Sequence, residues 1–178
     1  PGANPVDVEF FARMRKMSLK RSRLAAFGMT ARVDVPPADD PLLGRLVAAK
    51  APVITVFGKS WDLHVHHVLG TDQDKNLKTI EETCRYLKKR CDLLIYDAEH
   101  FFDGYKSDPA YALRTLEAAS EGGAQRLVLC DTNGGCLPQD VGLAVAEAAG
   151  RLRTPLGIHC HNDSDCATAN SLEAIRRG

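Results

Sequence analysis

Short apolar runs that end in polar clusters recur along this chain at intervals of roughly thirty to forty residues. That recurrence limits the fold more than any single motif does. Runs at 24–27, 53–57, 93–96, 127–130 and 156–161 are short, and several are rich in Val, Ile and Leu, as strands buried on both faces are. Longer amphipathic stretches lie between them at 40–49, 74–89, 109–121 and 138–151, with two more flanking the set at 5–17 and 165–177. Parallel strands need a crossover helix between them, so the expected class is α/β with about five parallel strands. Local chemistry supports the boundaries. Pro109 and Pro138 stand near helix starts, where a missing N–H is harmless. Gly122-Gly123 and Gly178 stand where helices should stop.

Spacing alone does not separate an open doubly wound sheet from a closed barrel. A dinucleotide-binding open sheet carries G-x-G-x-x-G after its first strand, and the sequence has none. No linker or low-complexity segment interrupts the pattern, so residues 1–178 read as a single domain. The opening Pro1-Gly2-Ala3-Asn4-Pro5 reads as a loop with no strand before it, and Arg176-Arg177-Gly178 as a helix end with no strand after it. Five strands cannot close an eight-stranded barrel. If the chain is part of one, the expectation is a central fragment of the catalytic barrel, lacking the first two strands and the last.

Lys plus Arg equals Asp plus Glu at 23 each, which gives none of the basic excess that nucleic-acid binding needs. No apolar run is long enough to span a bilayer and no signal-peptide pattern opens the chain, so no membrane partner is expected. The six cysteines include no C-x-x-C pair, and several fall inside apolar runs. They read as small buried hydrophobes of a reducing compartment, the cytoplasm or an organelle stroma.

Four clusters can carry chemistry. In Gly157-Ile158-His159-Cys160-His161-Asn162-Asp163, residues two apart share a strand face, so His159 and His161 project together and Cys160 points away. Two imidazoles side by side at a strand's C-terminal end form half of a metal site. Asp97 and Glu99 share a face by the same logic and can bind metal or act as acid and base, against the plainer reading of a solvated carboxylate rim. The aromatic residues after them are expected to wall off water. Asp131-Thr132-Asn133-Gly134-Gly135 is either a ligand-approaching loop or an ordinary helix-entry turn. Gly58-Lys59-Ser60 resembles the tail of a phosphate-binding loop, but Val53 occupies the place of its upstream glycine, which rules that out. His64, His66 and His67 then read as exposed histidines of a loop or helix start.

Taken together, these motifs resemble the family of 2-isopropylmalate, homocitrate and citramalate synthases, related to hydroxymethylglutaryl-CoA lyase. The likeness covers the whole chain, with the motifs in the family's order. The stretches 57–65, 96–106 and 129–138 look most like the citramalate synthase branch, and 157–172 is similar to the family's metal-binding strand and following helix. The resemblance implies a partial (β/α)8 barrel. It implies that His159 and His161 bind a divalent metal (Mn, Zn, Co or Mg), and that Thr132 hydrogen-bonds the carboxylate of a 2-oxo acid. Glu99 would be catalytic near the acetyl group, with Asp97 lining the substrate pocket and Asp131 a further catalytic candidate. The implied reaction is a metal-assisted Claisen condensation of acetyl-CoA with a 2-oxo acid, pyruvate giving citramalate, in branched-chain amino-acid biosynthesis by a homodimeric enzyme. A sister synthase, a carbon–carbon lyase of the same fold and a catalytically silent fragment stand as alternatives. Asp165-Cys166 departs from the small apolar continuation common in the family.

Overall fold

Proline and side-chain caps start most of the helices, and the strands are set between them. In the computed structural model, which describes residues 4–178, α1 (Pro5–Met14) begins behind the Asn4 cap and is followed by β1 (Ala25–Met29). Next come α2 (Pro41–Ala48), β2 (Val53–Lys59), α3 (Asp62–His67) and α4 (Gln73–Lys88). They lead into β3 (Leu93–Glu99), α5 (Phe101–Ser107), α6 (Pro109–Glu121) and β4 (Arg126–Asp131). The chain closes with α7 (Pro138–Arg151), β5 (Leu156–Cys160) and α8 (Ala167–Arg177). The expected loop residues Pro1 to Ala3 lie outside the described residues. Five strands and six long helices stand where the sequence places them; α1 stops at Met14 rather than 17, and β5 ends at Cys160, one residue early. Nothing in the sequence announces α5 as a helix, and only a possible helix start announces α3. At six and seven residues, each is too short to display a helical period.

All strand pairs are parallel, and the sheet order is β1-β2-β3-β4-β5. A doubly wound sheet reverses its order at a switch point. Here the order never reverses, so the chain winds one way throughout, as the strands of a (β/α)8 barrel do. Period-two alternation gives each strand two faces. Leu94, Tyr96 and Ala98 of β3 are fully buried, whereas Ile95, Asp97 and Glu99 are only partly covered. The buried set, with Ile54, Val56, Leu127 and Leu129, packs on Ile80, Cys84 and Leu87 of α4, Leu113 and Leu116 of α6, and Val141 and Ala144 of α7. The other set faces the concave side, the interior of a closed barrel.

Three local devices fix the loops at the strands' C-terminal ends. Asn76, buried on α4, donates to the Lys59 carbonyl at 2.9 Å, tying α4 to the end of β2. Gly104 brings α5 so close to β2 that a Cβ there would lie 2.1 Å from the Ser60 carbonyl oxygen. The third device joins the last two loops. Gly134 has φ +63, and its carbonyl accepts from the Ser164 N–H at 3.1 Å and the Ser164 hydroxyl at 2.6 Å. A Cβ on Gly134 would meet Asp163 Oδ2 at 2.5 Å and its backbone nitrogen at 2.9 Å.

The six cysteines are free thiols, as expected for small apolar fillers; Cys84 and Cys130 are buried. Among the described residues no helix is long and apolar enough to cross a membrane.

Two predictions concern these devices. Asp40 is only 1% exposed, and it caps α2 by accepting from the Leu42 and Leu43 N–H groups while also accepting from the Arg32 backbone and guanidinium. Burial opposes its charge, but those hydrogen bonds outweigh the penalty and hold the carboxyl below its ordinary value of 3.8. A carboxyl depressed on folding contributes stability above its unfolded pKa and loses it as pH falls through the folded one. Asp40→Ala should therefore cost about 1–2 kcal/mol at neutral pH, with the gap to the parent narrowing below 3.8 in urea titrations. Gly134→Ala should cost about 1–3 kcal/mol and lower Tm. Gly150→Ala, where a Cβ meets nothing within 4 Å, should leave Tm unchanged or raised.

Candidate functional site

The C-terminal ends of the parallel strands share one edge, and the concave-face positions nearest that edge are polar. Lys59 pairs in register with Glu99, and the two form an ion pair. Asp97 lies one pleat below Glu99 on the same strand face. Cys130 pairs in register with His159, and His161 continues the same side past the end of β5. Thr132 follows β4, where its hydroxyl oxygen accepts from the His100 N–H at 2.9 Å. A hydroxyl that accepts there still has its proton to donate.

The imidazoles of His159 and His161 stand with ring centroids 5.0 Å apart at 63°. Among the described residues no hydrogen bond engages their ring nitrogens, so both remain available as ligands. Ligand atoms of Asp97, Cys130 and His159 all lie within 4.8 Å of one another. Burial raises the Asp97 carboxyl above its ordinary value, and the nearby His159 offsets part of that rise. The Cys130 thiol is pushed up strongly by burial and then by the Asp97 and Glu99 carboxylates.

Asp131 behaves differently from the other sequence-identified residues. It shares the helix-facing side of β4 with Leu127 and Leu129 and is 1% exposed. Its carboxylate accepts from the Cys136 N–H at 3.3 Å and from Asn170 Nδ2 of α8 at 3.5 Å. Its backbone carbonyl accepts from the His161 N–H at 3.1 Å. Asp131 thus joins the β4 and β5 loops from behind, while Asp97, Glu99, His159 and His161 face the concave side. Burial, and then the Asp131 charge, push the neighbouring Cys136 thiol up to about 12.

The edge also holds residues that sequence reasoning passed over. Trp61, His64 and His100 pack together, with His64 4.5 Å from His100 and 4.8 Å from Trp61 between ring centroids. His64 is half-buried, not exposed as expected, although His66 and His67 are exposed. Burial, reinforced by His100 and Lys59, lowers the His64 pKa and favours its neutral form. His100 adopts φ +55 and sets its Nδ1 3.0 Å from Asp103. Phe101 and Phe102 were expected to wall off water, but they are buried among the core side chains. The period-two rule that paired Asp97 with Glu99 would also have found Lys59 on β2 and Cys130 on β4.

The arrangement combines two uncommitted imidazoles beside a carboxylate, the donor types a cation takes, with a hydroxyl that can donate to an anionic ligand and a neutral imidazole nearby. The chain is 51% identical over 179 residues to the (R)-citramalate synthase of Aquifex aeolicus, covering 100% of this chain and 34% of that protein. It is 48% identical over 178 residues to the (R)-citramalate synthase of Geobacter sulfurreducens, again covering 100% and 34%. The chain thus spans about a third of the length of the curated relatives it matches. Its fold matches an HMG-CoA lyase of Acinetobacter baumannii, solved in complex with coenzyme A and 3-methylmalate. That match has a TM-score of 0.74 at 17% identity and covers 98% of this chain and 54% of the lyase. The model of the HMGL-like family matches residues 14–178, and the chain belongs to that family.

Proposed function

We propose that the protein to which this segment belongs condenses acetyl-CoA with pyruvate to give citramalate, transferring the acyl group with its conversion to an alkyl group. Near-50% identity to (R)-citramalate synthases along the whole chain carries this reading. Residues 1–178 are then one domain, the central part of a catalytic barrel, in a homodimeric enzyme of the cytoplasm or an organelle stroma. The 178-residue chain by itself is expected to be catalytically silent.

A divalent cation suits the donor set: two imidazoles on one strand face, with ring nitrogens uncommitted and a carboxylate close by. Two nitrogens with oxygen donors accommodate Mn, Zn, Co or Mg. His159 and His161 would hold the ion, which when bound supplies Lewis acidity at the carbonyl of the 2-oxo acid. Thr132 donates its free hydroxyl proton to the substrate carboxylate, its oxygen fixed by the His100 N–H. Asp97, whose carboxylate lies near His159, would line the substrate pocket. Glu99, oriented by its ion pair with Lys59, would exchange a proton with the acetyl methyl group. Trp61 packs on His64 and His100 at the same edge. Asp131 is a positioning residue, since it holds the His161 backbone and the loop after β4.

The first test is calorimetric titration of Mn2+ into this chain and into His159→Ala/His161→Ala, alongside the longer protein that contains the segment. Binding by the longer protein that is lost in the double variant is the expected outcome; binding that survives it overturns the ligand assignment. In the longer protein, release of free CoA with pyruvate should fall by roughly 10²-fold or more in Glu99→Gln. Turnover with a branched or longer 2-oxo acid but not with pyruvate would move the reading to a sister synthase, and cleavage without condensation would move it to a lyase.

A further inference from the structure

The concave face carries a thiol that the proposed reaction does not use, beside two residues that it does. Cys130 sits directly across the β4–β5 ladder from His159, and Asp97 reaches the same point from β3. Three adjacent strands thus present a thiol, an imidazole and a carboxylate, with ligand atoms within 4.8 Å of one another. Around a tetrahedral ion with a sulfur bond of about 2.3 Å and nitrogen or oxygen bonds of about 2.0–2.2 Å, such atoms would stand about 3.5 Å apart. Rotamer adjustment can supply that contraction, because His159 is exposed and its ring is not pinned by a hydrogen bond among the described residues. His161 belongs to a different grouping. It stands beyond the strand end, and its backbone is tied to Asp131.

We propose that Asp97, Cys130 and His159 form a sulfur-bearing site for thiophilic divalent ions such as Zn2+ or Cd2+, exclusive with cation binding by His159 and His161. A thiolate and a carboxylate with a neutral imidazole give the site two negative charges, which match a divalent ion. Solvent can fill a fourth position on the exposed side. Binding forms a metal–sulfur bond and releases the Cys130 proton to buffer, as metal coordination of a thiol requires. Soft thiolate selects Zn2+ and Cd2+ over Mn2+ and Mg2+, which prefer oxygen donors. His159 cannot serve both sites at once, so a thiophilic ion on Cys130 removes one ligand from the other pair. This exclusivity rests on the proposed use of His159 with His161, whereas the sulfur site does not.

The test is titration of the full chain with Cd2+, followed through the near-ultraviolet thiolate-to-cadmium charge-transfer band. The expected result is a saturable band of one ion per chain, lost in Cys130→Ser, weakened in Asp97→Asn and retained in His161→Ala. A band that survives Cys130→Ser belongs to one of the other five cysteines and overturns the site, as does the absence of any band in the parent. Because serine closely matches cysteine in size, circular dichroism of Cys130→Ser should overlay the parent. If that variant unfolds, Asp97→Asn decides alone: an undiminished band overturns the site and a weakened one supports it. In the longer protein, Cd2+ should raise the apparent Kd for Mn2+ in the parent but not in Cys130→Ser. Equal Mn2+ affinity with and without Cd2+ would overturn the exclusivity. If Mn2+ never binds while the Cys130-dependent band appears, the sulfur site stands and the reading of His159 and His161 as the productive pair falls.

Discussion

A parallel ladder fixes which end of each strand meets which end of its neighbour, and every residue at the candidate site depends on that register. With β1 to β5 aligned, the positions that end each strand fall on one edge. Lys59 meets Glu99 and Cys130 meets His159 because those are the paired positions, although about thirty to forty residues of sequence separate the members. The helices between them bury the opposite face and hold the strands at that register. Loop devices then refine the edge: Gly104 lets α5 close onto β2, and Gly134 lets the loops after β4 and β5 interlock.

Asp131 and Thr132 show how one residue of chain divides two tasks. Thr132, in the turn after β4, accepts from the His100 N–H and keeps its hydroxyl proton, while Asp131 lies on the helix side and commits its carboxylate to Cys136 and Asn170. Adjacent in sequence, they look equally suited to chemistry until their hydrogen bonds separate them. Buried and committed, Asp131 reaches the site only through the backbone of His161.

The architecture was legible because the apolar runs and the helices between them are long enough to display their periods. α6 and α7 begin and end at the residues where Pro109, Glu121, Pro138 and Arg151 place them. The short α3 and α5 carry too little sequence for a period, and their geometry depends on neighbours that only the fold supplies, including Ser60 against Gly104. Within the site, Asp97, Glu99, His159 and His161 were visible as pairs two apart on one strand. Within its own segment Lys59 fits a phosphate-loop tail and Cys130 a core filler, because their partners lie on other strands. His64 was read as exposed because nothing local announces Trp61 and His100 stacking around it.

The alternation along β3 also divides tolerance to change. Tyr96 and Ala98 are sealed against the helices, so replacing either opens a void or forces neighbouring side chains apart. Asp97 and Glu99 border open space, and their replacement leaves the packing on the other face untouched. One seven-residue strand therefore carries two records that drift independently, one constrained by volume and one by chemistry. A barrel built from such strands can acquire a new ligand set at its edge without renegotiating its core.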